Sequence, residues 1–350
     1  MQHIKSQKAA LKVVVFSAQP YDKCFLNQIS QNHFPSLHAE VVYHITPLSE
    51  ESAPLAAHCD AVCVFVNDCV NESVLKLLYE QGVRGVFLRC SGFDNVDLKA
   101  AEEFGMFVAR VPAYSPEAIA EFSVALMLTL NRRTHRAYNR TREGNFNLGS
   151  LLGFNMHRKT VGIVGVGNIG LAVARILKGF GCNLVAHDPY ESDDFKVLGS
   201  YTTLEDLLRQ SDIVTLHCPL LDSTKHLINR DLLKCLKKGA MLINTSRGGI
   251  LDTAAVIDAL KSGQIGALGL DVYEKEASLF YVDRSSDIIH DDVFQRLVTF
   301  PNVLVTGHQA FLTEEALTEI AETTFQNLQH FADGSECRNA LVGGGAKTVK

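Results

Sequence analysis

Three residues in the second half of the chain, Arg247, Glu276 and His308, are of the types that reduction of a carbonyl group by hydride requires. A guanidinium forks onto a carboxylate in a plane. An imidazole donates a proton to the carbonyl oxygen as hydride reaches the carbon. A carboxylate behind that imidazole fixes its tautomer and favours its protonated form. Each residue follows an apolar run of β character. Residues 241–244 lead into Thr245-Ser246-Arg247-Gly248-Gly249, residues 267–272 into Tyr273-Glu274-Lys275-Glu276, and residues 303–306 into Gly307-His308-Gln309. In open α/β sheets ligands lie outside the carboxyl ends of the strands, so all three side chains are delivered to one edge. On residue type alone Glu274 competes with Glu276. Arg247 has the alternative of capping its strand or holding a phosphate. His187 and His217 also follow strand-like runs and read as structural or cofactor-lining.

The same edge receives a glycine-rich turn. Gly165, Gly167 and Gly170 form Gly-x-Gly-x-x-Gly directly after the apolar run 161–166 and open a helical pattern. In that context the glycines serve a tight turn, a close approach of backbone to pyrophosphate, and helix–strand packing. The pyrophosphate then sits at the positive end of a helix starting near Asn168. A second strand, 183–187, ends in Asp188, whose carboxylate would accept from a ribose 2′-hydroxyl and repel a 2′-phosphate. The reading is a dinucleotide site that takes NAD in preference to NADP.

These elements need a scaffold, and 350 residues suffice for two domains. A hydrophobic fraction of 47%, a charged fraction of 21% and a net charge of −6 are those of an ordinary globular protein with no general attraction for nucleic acid or an anionic membrane. The basic run 131–136 continues a helical pattern and reads as a solvated helix end or subunit contact. Nine scattered cysteines without a Cys-x-x-Cys pair argue for reduced thiols and no metal site. No secretory or membrane-spanning stretch is seen, and a cytoplasmic location is expected.

Strands are expected at 12–16, 41–43, 61–66 and 86–90, with a helix at 74–81, after a polar extension over the first ten residues. Two prolines bracket Ala113-Tyr114-Ser115; Ser115 and Pro116 then read as N-cap and first residue of a helix running to about 131. The later strands are 161–166, 183–187, 213–216, 241–244, 267–272 and 303–306, and a terminal helix covers 314–334. The predicted fold is α/β: two Rossmann-like domains with doubly wound parallel sheets, residues 114–308 being inserted into a substrate domain made of 1–113 and 309–350. A cleft between two such lobes is a preferred place for a small-molecule site.

The segments Gly165-Val-Gly-Asn-Ile-Gly170, Asn244-Thr-Ser-Arg-Gly248, Leu270-Asp-Val-Tyr273 and Gly307-His-Gln-Ala-Phe311 resemble the D-isomer-specific 2-hydroxyacid dehydrogenases, most of all the bacterial fermentative D-lactate dehydrogenases. The resemblance spans nearly the whole chain. It implies a catalytic set of Arg247, Glu276 and His308, with Glu276 chosen over Glu274 by its distance from Asp271. It places Asp271 at the nicotinamide carboxamide, Asp188 at the ribose, Cys218 and Pro219 beside the adenosine half, and Asn168, Ile169 and Thr245 among the NAD-binding residues. Ser91 and Gly92, in Arg89-Cys-Ser-Gly-Phe-Asp-Asn95, look like the loop that holds the substrate carboxylate. Tyr114 and Phe311 resemble pocket walls that suit a methyl-sized group. The implied reaction is pyruvate and NADH giving D-lactate and NAD, in a homo-oligomer, dimer or tetramer. Reductases of glyoxylate, hydroxypyruvate, phenylpyruvate or branched oxoacids share this pattern. Formate dehydrogenases differ at Glu276, and phosphoglycerate dehydrogenases by a regulatory domain. The NAD(H)-binding co-repressors keep the catalytic set, but not the Gln309-Ala310-Phe311 segment.

Overall fold

The computed structural model describes residues 10–344. Apart from Ala10, the polar extension read over the first ten residues lies outside them. The chain divides into two compact units, one of residues 1–115 and 313–350 and the other of 116–312. The divisions fall two and four residues beyond 113/114 and 308/309. Tyr114 therefore belongs with the first unit, and His308 and Phe311 with the second.

The first unit holds β1 (Leu11–Val15), β2 (Ala39–Tyr43), β3 (Ala61–Val64), β4 (Gly85–Leu88) and β5 (Phe107–Arg110). They lie parallel in the order β2-β1-β3-β4-β5. β3 and β4 are buried along their whole length, as strands covered on both faces must be. The helix Glu314–Asp333 packs into this unit. Its Ala321, Phe325 and Leu328 join Val13, Cys63 and Phe87 in one core. Thr313 caps its start by accepting from the Ala316 N–H, and Gly334 ends it at φ 64°.

The second unit holds β6 (Thr160–Val164), β7 (Asn183–His187), β8 (Ser200–Tyr201), β9 (Ile213–Leu216), β10 (Ala240–Asn244), β11 (Ile265–Leu270) and β12 (Val303–Val305). All neighbours are parallel, in the order β8-β7-β6-β9-β10-β11-β12. The direction of winding reverses between β6 and β9, which is where such sheets open a crevice for a ligand. The helices Pro116–Arg132 and Asn168–Gly179 cover one face and Leu204–Gln210 and Thr253–Ser262 the other.

Several features depart from the sequence reading, among them β3, β4 and β6, each of which ends two residues early. β8 and β5 form without having been expected. β13 (Ala340–Val342) adds an antiparallel strand on β5, so the first sheet is not wholly parallel. β11 runs from 265 to 270, not 267 to 272, which frees Asp271 and Val272 to begin the following loop. Ser115 is not in the extended conformation of an N-cap. It stands at φ 28° and gives its N–H to the Glu319 carboxylate at 3.2 Å, while Pro116 does begin the helix.

Candidate active site

The glycine-rich turn leaves β6 at the switch point. Gly165 has φ 90°, and a Cβ there would stand 2.7 Å from the Cys218 nitrogen on the neighbouring strand end. Only glycine fits both the angle and the space. A Cβ on Gly170 would overlap the Gly165 carbonyl oxygen, so the helix lies hard against the turn. Gly167 is different: no atom lies within 4 Å of its added Cβ, and it caps the helix Asn168–Gly179 with no side-chain hydrogen bond. The first-turn N–H groups at Asn168 and Ile169 thus open onto a cradle that a side chain at 167 would fill. Those donors and that space fit a pyrophosphate.

Asp188, at the end of β7, accepts from the Val166 N–H at 2.6 Å and the Tyr190 N–H at 2.8 Å. It therefore ties the glycine turn to β7. With Glu191, Tyr201, Thr202 and Glu205 it lines an open hollow bearing three carboxylates. Cys218 is half-buried, and burial pushes its thiol up to about 11. The carbonyl of Pro219 accepts from the Thr224 hydroxyl. Thr245, placed by the sequence among the NAD-binding residues, is buried, and its hydroxyl shares a hydrogen bond of 2.7 Å with that of Ser123 on the helix Pro116–Arg132.

At the far end of the edge, β10, β11 and β12 lie side by side and deliver Arg247, Glu276 and His308. The Nδ1 of His308 meets Oε1 of Glu276 at 2.6 Å, with both side chains less than 15% exposed (12% and 14%). Such short contacts mark charge-assisted hydrogen bonds. Oε2 of Glu276 accepts from the Tyr273 N–H, which fixes the carboxylate. With Nδ1 engaged, Nε2 is the ring nitrogen left for a substrate.

His308 stands at φ 54°, a strained angle for a residue with a Cβ. Asp271 holds it there. The Asp271 carbonyl accepts from the His308 N–H at 2.7 Å. Its fully buried carboxylate accepts from the Thr306 hydroxyl and from the N–H groups of Gln309 and Ala310. Burial pushes that carboxyl above its ordinary range, against the pull of these three donors. The sequence reading gave Asp271 a cofactor contact; anchoring of the histidine loop is a task it did not include. Tyr281 adds a hydrogen bond from its hydroxyl to the His308 carbonyl.

Arg247 lies in extended backbone before the short turn Gly248–Ile250, and its guanidinium donates to the Ser246 carbonyl at 2.8 Å. Asn244 steadies the turn by donating to the Arg247 carbonyl. Glu274 turns away from this set to His226 and Thr253, so of the two carboxylates it is Glu276 that meets His308. His217 shares a hydrogen bond with Thr215, and burial pushes its imidazole down to about 3, which leaves it uncharged at neutral pH. His187 meets the Thr202 carbonyl. Among the described residues no group of three or more His, Cys, Asp and Glu side chains could hold a metal ion.

In the first unit Ser91 and Gly92 follow β4. The Ser91 carbonyl accepts from Arg110 and the Gly92 carbonyl from the Cys90 thiol, while the Ser91 hydroxyl donates to Pro112. Arg89, just before them, is 1% exposed and paired with Asp22 at 3.2 Å. Phe311 is buried in the second unit, and Tyr114 is half-buried in the first.

Comparison with known proteins gives the family. Residues 124–310 match the family described as "D-isomer specific 2-hydroxyacid dehydrogenase, NAD binding domain". The chain belongs to the D-isomer-specific 2-hydroxyacid dehydrogenases. It is 58% identical over 332 residues to 2-hydroxyacid dehydrogenase A of Aspergillus oryzae, with 95% of each chain covered. It is 50% identical to the D-lactate dehydrogenase of Escherichia coli, covering 95% of this chain and all (100%) of that one. The apo structure of that enzyme superposes with a TM-score of 0.85, covering 95% of this chain and 100% of the other at 48% identity. The pyruvate reductase of Chlamydomonas reinhardtii gives 0.86 at 47% identity, covering 93% and 97%. The residues of this dehydrogenase that match the family's NAD-binding domain, 124–310, fall within the second unit. None of the described helices in the dehydrogenase is long and apolar enough to cross a membrane.

Proposed function

We propose that this dehydrogenase reduces pyruvate to D-lactate with NADH, and that the Glu276–His308 pair moves the proton. The observation that carries the reading is the short Glu276–His308 contact, which takes Nδ1 and leaves Nε2 for the substrate. When bound, NADH supplies the hydride to the carbonyl carbon. His308, oriented by Glu276 through Nδ1, releases its Nε2 proton to the carbonyl oxygen at the same time. The neutral imidazole then regains a proton from solvent, so one hydride and one proton are consumed for each hydroxyacid formed. Arg247 takes the substrate carboxylate and orients the carbonyl. The backbone N–H groups of Ser91 and Gly92 are its proposed partners in that task.

Pyruvate is favoured over larger oxoacids by the bulk of Tyr114 and Phe311, and relatives with about half their residues in common are a D-lactate dehydrogenase and a pyruvate reductase. NAD is favoured over NADP because Asp188, Glu191 and Glu205 make the hollow at the end of β7 hostile to a 2′-phosphate. The exposed apolar side chains Phe146, Leu148 and Leu152 of the NAD-binding unit support a homo-oligomer.

The test is NADH oxidation against pyruvate, glyoxylate, hydroxypyruvate, phenylpyruvate and 2-oxoisocaproate, with chiral analysis of the product. Preference for pyruvate with D-lactate formed is the expected result. Preference for a bulkier oxoacid would overturn the roles given to Tyr114 and Phe311.

A further inference from the structure

The loop that carries Glu276 also carries a second carboxylate with its own histidine. Oε1 of Glu274 meets Nε2 of His226 at 2.6 Å, and Oε2 accepts from the Thr253 hydroxyl at 2.9 Å. These two partners lie on opposite sides of the Arg247 turn in sequence. Thr253 begins the helix that follows it, after Asp252 as N-cap. His226 precedes a short stretch that pairs with the turn itself: the His226 N–H donates to the Gly249 carbonyl, the Ile228 N–H to that of Ile250, and the Asp252 N–H to that of Ile228. Gly248, next to Arg247, rests directly on the Tyr273–Glu274 peptide, where a Cβ would overlap the Tyr273 carbonyl and the Glu274 nitrogen.

We propose that Glu274 is a positioning residue for oxoacid reduction: by bridging His226 and Thr253 it holds the Arg247 turn in register with the loop that carries Glu276. The inference rests on the catalytic reading of Arg247 and Glu276. Arg247 has to meet the substrate carboxylate while Glu276 and His308 meet its carbonyl, so a shift of one loop against the other misplaces the reacting atoms. Displacements of about 1 Å cost on the order of a hundredfold in rate. The pair is itself accessible, with Glu274 29% and His226 40% exposed. Ion pairs of that kind add little to global stability. Its effect is therefore expected in turnover and not in folding.

Three variants test this: Glu274→Ala, Glu274→Gln and His226→Ala. Glu274→Ala is expected to lower kcat/KM for the oxoacid about tenfold to a hundredfold, with a raised KM, an unchanged Kd for NADH and an unchanged thermal midpoint. Glu274→Gln, whose amide can keep both hydrogen bonds, should recover most of the loss. Combining His226→Ala with Glu274→Ala should cost no more than the worse single change, since both break one bridge. Hydrogen exchange should quicken at 246–251 in Glu274→Ala, although no residue there is altered. Turnover within about twofold of wild type, no recovery with glutamine, or additive losses would overturn the proposal. If the wild type turns over no 2-oxoacid, the functional reading fails instead. Faster exchange at 246–251 would then still support the bridge, and unchanged exchange would remove it.

Discussion

Each sheet delivers an arginine and two carboxylates to the carboxyl ends of its strands, but the two clusters differ in access. In the first unit Arg89 lies between Asp22 and Asp68 and stacks over Phe65, with all three charged side chains at most 8% exposed. Burial works against the charge on Arg89, yet Asp22, Cys63 and Asp68 outweigh it and hold the guanidinium above its ordinary range. Asp68 accepts from the Ser17 hydroxyl and from the N–H groups of Leu48 and Phe65, so it knots the loops after β1, β2 and β3 together. In the second unit Arg247, Glu274 and Glu276 keep a path to solvent, and each carboxylate meets a histidine through one ring nitrogen, Glu274 that of His226 and Glu276 that of His308. The same residue types therefore give a scaffold where they are sealed and, on the proposed function, chemistry where they are not. A sealed ion cannot change its partner or its proton without uncovering a bare charge.

The largest effect expected from breaking this contrast is on the sealed side. Arg89→Met leaves Asp22 and Asp68 buried without their cation and should cost about 3–5 kcal/mol of stability in urea unfolding. Activity should fall only in step with the folded fraction. On the open side Arg247→Lys keeps the charge but loses the planar fork. We expect kcat/KM for pyruvate to fall about a hundredfold with little change in the unfolding midpoint. Near wild-type turnover would remove Arg247 from the mechanism. Smaller again is Asp188→Ala, which should narrow the preference for NADH over NADPH about tenfold by removing a charged hydrogen-bond partner. Because Asp188 also holds the Val166 N–H, binding of NADH should weaken in the same variant. Unchanged discrimination would mean that Asp188 does not set the choice.

The contrast also explains what could be read from the residues in order. Gly165, Gly167 and Gly170, and the three residues that follow β10, β11 and β12, announce themselves because each belongs to a short segment with a strand before it. Pairings that no such segment implies do not: Arg89 and Asp22 stand 67 positions apart, and Ser123 and Thr245 122. Periodicity carries no signal over such separations, so the hydrogen bond between the hydroxyls of Ser123 and Thr245 could not be read from the residues. Strand length sets a second limit. β8 has two residues and β13 three, and neither leaves a pattern of alternation to detect. The strained angle at His308 was likewise hidden, because Asp271, whose carboxylate accepts from the backbone just after it, is distant in sequence.

The central claim is that the Glu276–His308 pair is the proton source for carbonyl reduction. The most direct test is kcat for pyruvate in His308→Gln beside the Kd for NADH in the same variant. We expect kcat to fall about 10²–10⁴-fold, with cofactor binding unchanged. A kcat within about fivefold of wild type would show that the proton comes from elsewhere.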